Sequence, residues 1–197
     1  PTGEGKSVIF QVPALLHGQR TNRLSFVITP LRALMRDQVN DLWSKGLTES
    51  VDYLSSDRDY WQNSEVYQGI IDNRIKLLYV SPERFRNSRF ISALQQRSLN
   101  DGGLEFAVID ETHCVSQWGF EFRPDYFFAL SIVNGFCGDY ENPTRMLLLS
   151  ATVTDVVENH LQSQIKGSKE LTIQPKIYKH PLQEHIVIHS VQDNDTI

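Results

Sequence analysis

The feature that most constrains the fold is a repeated alternation of short apolar runs with segments of helical periodicity. The runs are rich in β-branched residues and end at turn-forming or polar residues, as buried strands do. They occupy residues 24–29, 51–54, 75–80, 104–109, 145–149 and 170–173. Apolar residues at helical spacing fill the intervals at about 31–45, 60–72, 89–97 and 154–164. Strands separated by helices predict an α/β fold with a mostly parallel sheet and helices on both faces.

Composition limits the class of protein. The chain has 197 residues, of which 40% are hydrophobic and 22% charged, a globular composition for one domain of ordinary size. No apolar run reaches the roughly 18 residues that a membrane span needs, so no membrane partner is expected. Two cysteines are too few for a disulfide framework or a zinc site, which predicts a cytoplasmic protein without zinc in this fragment. The net charge of −5 excludes a uniformly basic surface, yet a few arginines in a groove suffice to bind a nucleic-acid strand.

The N-terminal residues PTGEGKS match the rear of the phosphate-loop motif G-x-x-x-x-G-K-[ST]. Glycines let backbone amides cradle phosphates, while Lys6 supplies positive charge and the Ser7 hydroxyl is a hard ligand for Mg²⁺. The predicted ATP-binding residues are Thr2, Gly3, Glu4, Gly5, Lys6 and Ser7. Because the first motif position falls before Pro1, we expect a domain that is cut within this motif and lacks its first strand.

The pair Asp110-Glu111 ends the apolar run 106–109. The carboxyl ends of parallel strands face the ligand crevice, so both acids are predicted to lie where the phosphates bind. Asp110 is predicted to hold Mg²⁺ and Glu111 to polarise the attacking water. Two acids at a strand end are also a common surface feature, but the apolar run before them favours the catalytic interpretation.

Residues 110–113, DETH, are similar to the DEAH/DExH box of superfamily 2 helicases, with Thr112 where alanine is commonest. Residues 114–126, CVSQWGFEFRPDY, resemble the aromatic-rich loop that RecQ helicases carry after this box. Aromatic rings stack on bases of any identity, and arginine binds phosphate. The resemblance implies a catalytic role for His113, and we expect Tyr126 to pack on the core. The predicted DNA contacts in this loop are Trp118, Phe122 and Arg123, and Gln117 is assigned to coupling.

Three further segments resemble RecQ motifs in order and spacing. Residues 27–39 are similar to motif Ia, 78–85 to the family's tyrosine-x-x-proline-glutamate-arginine segment, and 149–152 to motif III. Further DNA contacts are predicted at Pro30, Arg32, Ser81 and Arg84, with Arg32 standing where the family usually has a neutral residue. The coupling of hydrolysis to domain movement is assigned to Ser150, Ala151 and Thr152.

The resemblance implies a RecA-like P-loop domain over residues 1–174. Residues 175–197 are then a linker and the start of a second RecA-like domain, with a C-terminal edge strand of the same sheet as the alternative. The implied cofactors are ATP and Mg²⁺. The implied partners are single-stranded or forked DNA and the second RecA-like domain of the same full-length chain.

The implied activity is 3′–5′ translocation on DNA driven by ATP hydrolysis, with the fragment alone a weak or inactive ATPase. The expected location is the cytoplasm, associated with the nucleoid if the source is bacterial. Two alternatives stay open. One is an RNA-directed DExH-type ATPase, and the other is a truncated module that binds DNA or a partner without turnover.

Overall fold

The fold is described from a computed structural model for residues 6–99, 103–112, 124–137, 144–150, 168–173 and 185–191. Only the backbone is described for residues 6 and 150 and for the last two ranges. The helices are α1 (Lys6–Thr21), α2 (Arg32–Ser44), α3 (Tyr60–Ile71), α4 (Ser88–Leu99) and α5 (Pro124–Cys137). The strands are β1 (Leu24–Ile28), β2 (Val51–Leu54), β3 (Leu77–Val80), β4 (Leu104–Ile109), β5 (Arg145–Ser150), β6 (Ser168–Ile173) and β7 (His185–Val191). A 3-10 turn at Pro82–Arg86 follows β3.

The strands form one sheet in the order β2-β3-β1-β4-β5-β7-β6. The first five in this order are parallel, and Ile28 of β1 lies opposite Val80 of β3 and Ile109 of β4. These strands therefore end at the same side of the sheet, the carboxyl edge, and begin at the opposite side, the amino edge. The predicted α/β fold with a mostly parallel sheet is confirmed.

Helices cover both faces of the sheet, as the apolar runs predicted. Successive residues of β1 point to opposite faces, because side chains alternate along a strand. Phe26 packs with Phe90 of α4 in a core that also includes α3 and α5. Val27 packs with Phe10 of α1 and Met35 of α2 in a second core. Both cores are fully buried at these positions, so the sheet is the middle layer of three.

Local sequence explains where several helices begin and end. The Asp59 carboxylate accepts a hydrogen bond from the backbone N–H of Gln62 at 2.8 Å, and the Gln62 side chain accepts one from Asp59 at 3.1 Å. This reciprocal capping box starts α3. Gly46 ends the α2 segment with a φ of 85°, a conformation that favours glycine, which confirms the predicted stop.

Two parts of the sequence interpretation differ from the structure. α5 was not predicted, because its residues are apolar nearly all round and show no helical stripe. β7 pairs antiparallel with both β5 and β6, for example Ile188 with Leu147 and Leu171. This pairing places β7 between β5 and β6, with β6 at the edge of the sheet. The division at residue 174 stays a prediction, and the helix predicted at about 154–164 lies outside the described residues.

Candidate functional site

The carboxyl edge brings the described parts of the predicted nucleotide site together. α1 runs antiparallel to β1, to which Asn22 and Arg23 connect it, so its first residues Lys6 and Ser7 lie at the carboxyl edge. Asp110 directly follows β4, and the neighbouring β5 ends at Ser150. The topology therefore places a helix N-terminus, an acid pair and the start of the predicted motif III beside one another.

The backbone around the acids is held firmly. Asp110 N–H donates to the Ile28 carbonyl at 2.9 Å, which continues the β1–β4 pairing by one residue. Glu111 N–H then donates to Asp110 Oδ1 at 3.0 Å. Glu111 has a φ of 51°, a left-handed conformation that costs about 1–3 kcal/mol in a residue other than glycine. Such a conformation persists only where surrounding contacts impose it, so the fold fixes the backbone of the acid turn.

The buried phenol of Tyr126 ties α5 to this turn. Its hydroxyl donates to the Asp110 carbonyl at 3.0 Å and lies 3.3 Å from the Ile28 carbonyl. The side chain is 1% exposed, as predicted for a residue that packs on the core. Tyr126 thereby joins the ends of β1 and β4 from the side of α5.

Thr112 is a structural link that the sequence interpretation missed. Its hydroxyl lies 3.0 Å from the Ile109 carbonyl and 2.9 Å from the Leu149 carbonyl, and the residue is 1% exposed. One hydroxyl proton serves two acceptors, so the side chain bridges the acid turn after β4 and the end of β5. The sequence contained one signal for this role, because Thr112 directly follows two acids at a position where the related motif usually has an alanine. Alanine has no hydroxyl and could not make this bridge.

Four residues predicted to contact DNA also lie at the carboxyl edge. Pro30 and Arg32 follow β1, and Ser81 and Arg84 follow β3. Arg32 Nη2 lies 2.8 Å from Glu83 Oε1, an exposed ion pair that joins the start of α2 to the 3-10 turn. Arg84 donates to the Ser55 carbonyl. Ser81 is 1% exposed and therefore lies beneath the surface that a strand would touch.

Several predicted site residues lie outside the described part of the chain. They are Thr2, Gly3, Glu4, Gly5, His113, Gln117, Trp118, Phe122, Arg123, Ala151 and Thr152. Lys6 and Ser150 are described by their backbone alone. The roles of all these residues stay predictions.

The described residues fit a nucleotide-bound Mg²⁺ better than a metal held by protein alone. No group of three or more histidine, cysteine or acidic side chains that could hold a metal occurs in the described ranges. Mg²⁺ usually keeps several waters and binds one or two carboxylates together with substrate phosphates. The partly exposed Asp110 and the N-terminus of α1 supply that kind of site. No described helix is long and apolar enough to cross a membrane.

A parallel three-layer domain with an acid pair at its carboxyl edge, beside a helix that begins Lys-Ser, defines a RecA-like nucleotide-binding domain. Residues 1–160 match the sequence model of the DEAD/DEAH box helicases, and the chain belongs to this family.

Within the family the chain is similar to RecQ helicases. It is 36% identical over 178 residues to the ATP-dependent DNA helicase RecQ of Bacillus subtilis, covering 88% of this chain and 27% of that protein. It is 40% identical over 157 residues to the ATP-dependent helicase SGS1 of Saccharomyces cerevisiae, covering 80% of this chain and 10% of that protein. The chain thus spans about a quarter or less of these relatives.

The fold has a counterpart among solved structures. The DUF1998 helicase MrfA, crystallised with DNA and AMPPNP, superposes with a TM-score of 0.57 at 18% identity, covering 85% of this chain and 23% of that one. At that identity the likeness shows the fold alone.

Proposed function

We propose that this chain is the ATP-binding motor domain of a RecQ-like DNA helicase. In the full-length protein it binds ATP–Mg²⁺ and single-stranded DNA and couples hydrolysis to 3′–5′ translocation. The observation that carries the proposal is the acid turn at Asp110-Glu111, fixed at the carboxyl edge by bonds from β1, α5 and β5 in a chain of this family.

Each residue of the nucleotide site has a distinct task. Lys6 and the backbone amides at the start of α1 neutralise phosphate charge. Ser7 and Asp110 would hold Mg²⁺, which would supply positive charge to the phosphate oxygens. Glu111 accepts the proton of the attacking water, and its backbone is held in a left-handed conformation. Thr112 connects this turn to the coupling residues after β5.

The second half of the machinery belongs to the full-length protein. A second RecA-like domain closes on the carboxyl edge and supplies the arginine that stabilises charge on the transferring phosphoryl group. Single-stranded DNA as the substrate is supported by the relatives, one of which is named a DNA helicase. The direction of translocation is carried over from the RecQ resemblance.

Glu111→Gln in the full-length protein tests the proposal. The amide cannot accept the proton, so ATP turnover should fall about 10²- to 10⁴-fold, while binding of a fluorescent ATP analogue is retained. Glu49→Gln is the matched control, because Glu49 is exposed and lies before β2 at the amino edge. Turnover that survives Glu111→Gln removes this residue from its role. Stimulation of the unchanged protein by single-stranded RNA but not by DNA would replace the DNA assignment with an RNA-directed ATPase.

A further inference from the structure

A cavity lies at the carboxyl edge beside the ends of β2 and β3. Its volume is about 470 Å³, within the range of small-ligand pockets. Three arginines and two tyrosines form most of its wall: Arg58, Arg84, Arg89, Tyr60 and Tyr67. The strand order puts it two to three strands from β4, about 10–15 Å from the acid turn. It is therefore separate from the nucleotide site but on the same edge.

The cavity has a surplus of positive charge, because no carboxylate lines it. Arg58 is neutralised by Asp52 at 2.7 Å. Arg84 and Arg89 form no salt bridge with any acid in the described residues; Arg84 donates to the Ser55 carbonyl, and Arg89 Nη1 donates to Tyr60 Oη at 2.6 Å. Two guanidinium groups at one concave site attract an anion more strongly than the same charges spread over a convex surface.

The wall also holds polar atoms without a protein partner. Asn63 is 6% exposed, and its side-chain nitrogen donates to the Asp59 carbonyl at 2.9 Å while its Oδ1 has no partner in the described part of the chain. Arg58 Nε and Arg84 Nε are likewise buried without a described partner. Buried polar atoms of this kind usually meet water or a ligand. An acceptor beside several donors suits a ligand that carries both N–H groups and anionic oxygens.

Exposed aromatic rings stand at the rim. Tyr60 is 58% exposed and Trp61 is 76% exposed, with ring centroids 5.4 Å apart. The Arg89 guanidinium lies 5.0 Å from the centre of the Tyr60 ring. Large exposed rings next to arginines are the composition that binds single-stranded nucleic acid, since the cations hold the backbone and the rings stack on bases.

We propose that this cavity is a second contact point for the nucleic-acid strand, which we call the arginine–tyrosine pocket. Arg84 and Arg89 hold a backbone phosphate, Tyr60 and Trp61 stack on a base, and the Asn63 carbonyl faces the N–H groups of that base. Arg84 is already a predicted DNA contact, and the pocket extends the strand path from Pro30, Arg32 and Arg84 to Arg89, Tyr60 and Trp61. The inference rests on the proposed function, because the strand is its substrate.

Binding of a labelled single-stranded oligodeoxythymidine to this chain, followed by fluorescence anisotropy, tests the pocket. Arg89→Gln should weaken binding and lower the slope of log affinity against log salt by about 0.7, the value for one phosphate contact on a single strand. Arg20→Gln is the matched control, because it removes the same charge from an exposed site in the last turn of α1, at the amino edge. The control should leave both affinity and slope unchanged.

The rings are tested by replacing both with alanine. Loss of stacking on one or two bases should reduce affinity about five- to 150-fold per base. Trp61→Phe retains a ring and should retain most of the affinity. An oligonucleotide that carries 5-iodouracil should photocross-link to Tyr60 or Trp61, which locates the contact independently of any effect of substitution on folding.

The outcomes separate the two proposals. If the unchanged chain binds the oligonucleotide while Arg89→Gln and the double alanine variant bind equally well, the pocket is overturned and the proposed function stands. If the unchanged chain and the full-length protein both fail to bind any oligonucleotide, the DNA assignment itself is overturned. If polyglutamate of similar length displaces the oligonucleotide with equal potency, the site binds an acidic peptide and the nucleic-acid assignment is wrong.

Discussion

Helix α4 carries one arginine near each end, and the two have opposite environments. Arg89, in the first turn, is exposed and lines the arginine–tyrosine pocket without an acidic partner in the described residues. Arg97, in the last turn, is completely buried. It donates to the Ile70 carbonyl at 3.0 Å, to the Asn73 side chain and to the Asn22 carbonyl. The same residue type thus faces a possible ligand at one edge of the sheet and holds the chain together at the other.

The amino and carboxyl edges of the sheet also differ in how their polar groups are hydrogen-bonded. At the amino edge, Asn22 and Asn73 adopt left-handed φ angles of 60° and 61°, and Arg97 bonds to both. Lys76 Nζ donates to the Asn22 side chain at 2.7 Å and to the Asn73 carbonyl at 2.6 Å. Burial there lowers the pKa of Arg97 to about 10. These cations stabilise turns through hydrogen bonds to groups of the protein itself, although Arg97 Nε has no partner in the described residues.

At the carboxyl edge, more of the buried polar side-chain atoms have no partner in the described residues than at the amino edge. Among the described residues, the Thr29 and Ser81 hydroxyls at the ends of β1 and β3 are buried without a partner, as are atoms of the arginine–tyrosine pocket. Arg97 makes three hydrogen bonds to groups of the fold, whereas the arginine–tyrosine pocket retains buried polar atoms that a ligand would satisfy. The comparison teaches that the partners of a cation, rather than its type or its helix, indicate its role.

Arg97→Met should have the largest effect on stability. It leaves three acceptors of the amino-edge turns without their donor, so we expect a loss of about 3 kcal/mol or more in the free energy of unfolding. Urea denaturation followed by circular dichroism measures this loss. Arg97→Lys keeps the charge but cannot reach all three acceptors, so it should recover only part of the lost free energy of unfolding. A urea midpoint equal to that of the unchanged chain would remove the distinction between the two edges.

Thr112→Val should have a smaller effect on stability and a separate effect on activity. Valine has nearly the same shape but leaves the Leu149 carbonyl without its side-chain donor, which costs about 1–2 kcal/mol. In the full-length protein it should lower DNA-stimulated ATP turnover more than ATP affinity, because it cuts a link between the acid turn and β5. Thr112→Ser keeps the hydroxyl and should restore stimulation. An unaltered ratio of stimulated to basal turnover in Thr112→Val would make the link purely structural.

The sequence predicts those features that local patterns determine. β4 and the acids after it were found because an apolar run followed by two carboxylates is a local pattern with one place in a parallel sheet. Arg97 could not be interpreted in the same way, since its partner Asn22 lies 75 residues away along the chain. Arg89 and Tyr60 are also distant in sequence, and each alone is an ordinary exposed helix residue. Their joint role emerges only when α3 and α4 are packed side by side.

Alkaline pH should weaken the core that both edges share. Burial raises the pKa of the Cys137 thiol from its ordinary 9.0 to about 12. Above pH 9 the unfolded chain loses this proton while the folded chain keeps it, so stability is full below pH 9 and falls as pH rises towards 12. The slope is about 1.4 kcal/mol per pH unit at most. The decrease in stability is measured from urea midpoints at pH 8 and 10, and it should be smaller in Cys137→Ala. An equal fall in that variant would assign the effect to other groups.

Arg89→Met should have the smallest effect on stability and is the sharpest test of the comparison. The side chain is exposed and satisfies no buried carbonyl, so the urea midpoint should match that of the unchanged chain. The two arginines are about 12 Å apart along α4, at 1.5 Å per residue. Substitutions at that distance without shared partners act independently, so the Arg89→Met, Arg97→Met double variant should be as stable as Arg97→Met alone. A further loss in the double variant would show that Arg89 also stabilises the fold. Its exposed guanidinium would then be a structural group like Arg97, and the two ends of α4 would no longer differ in kind.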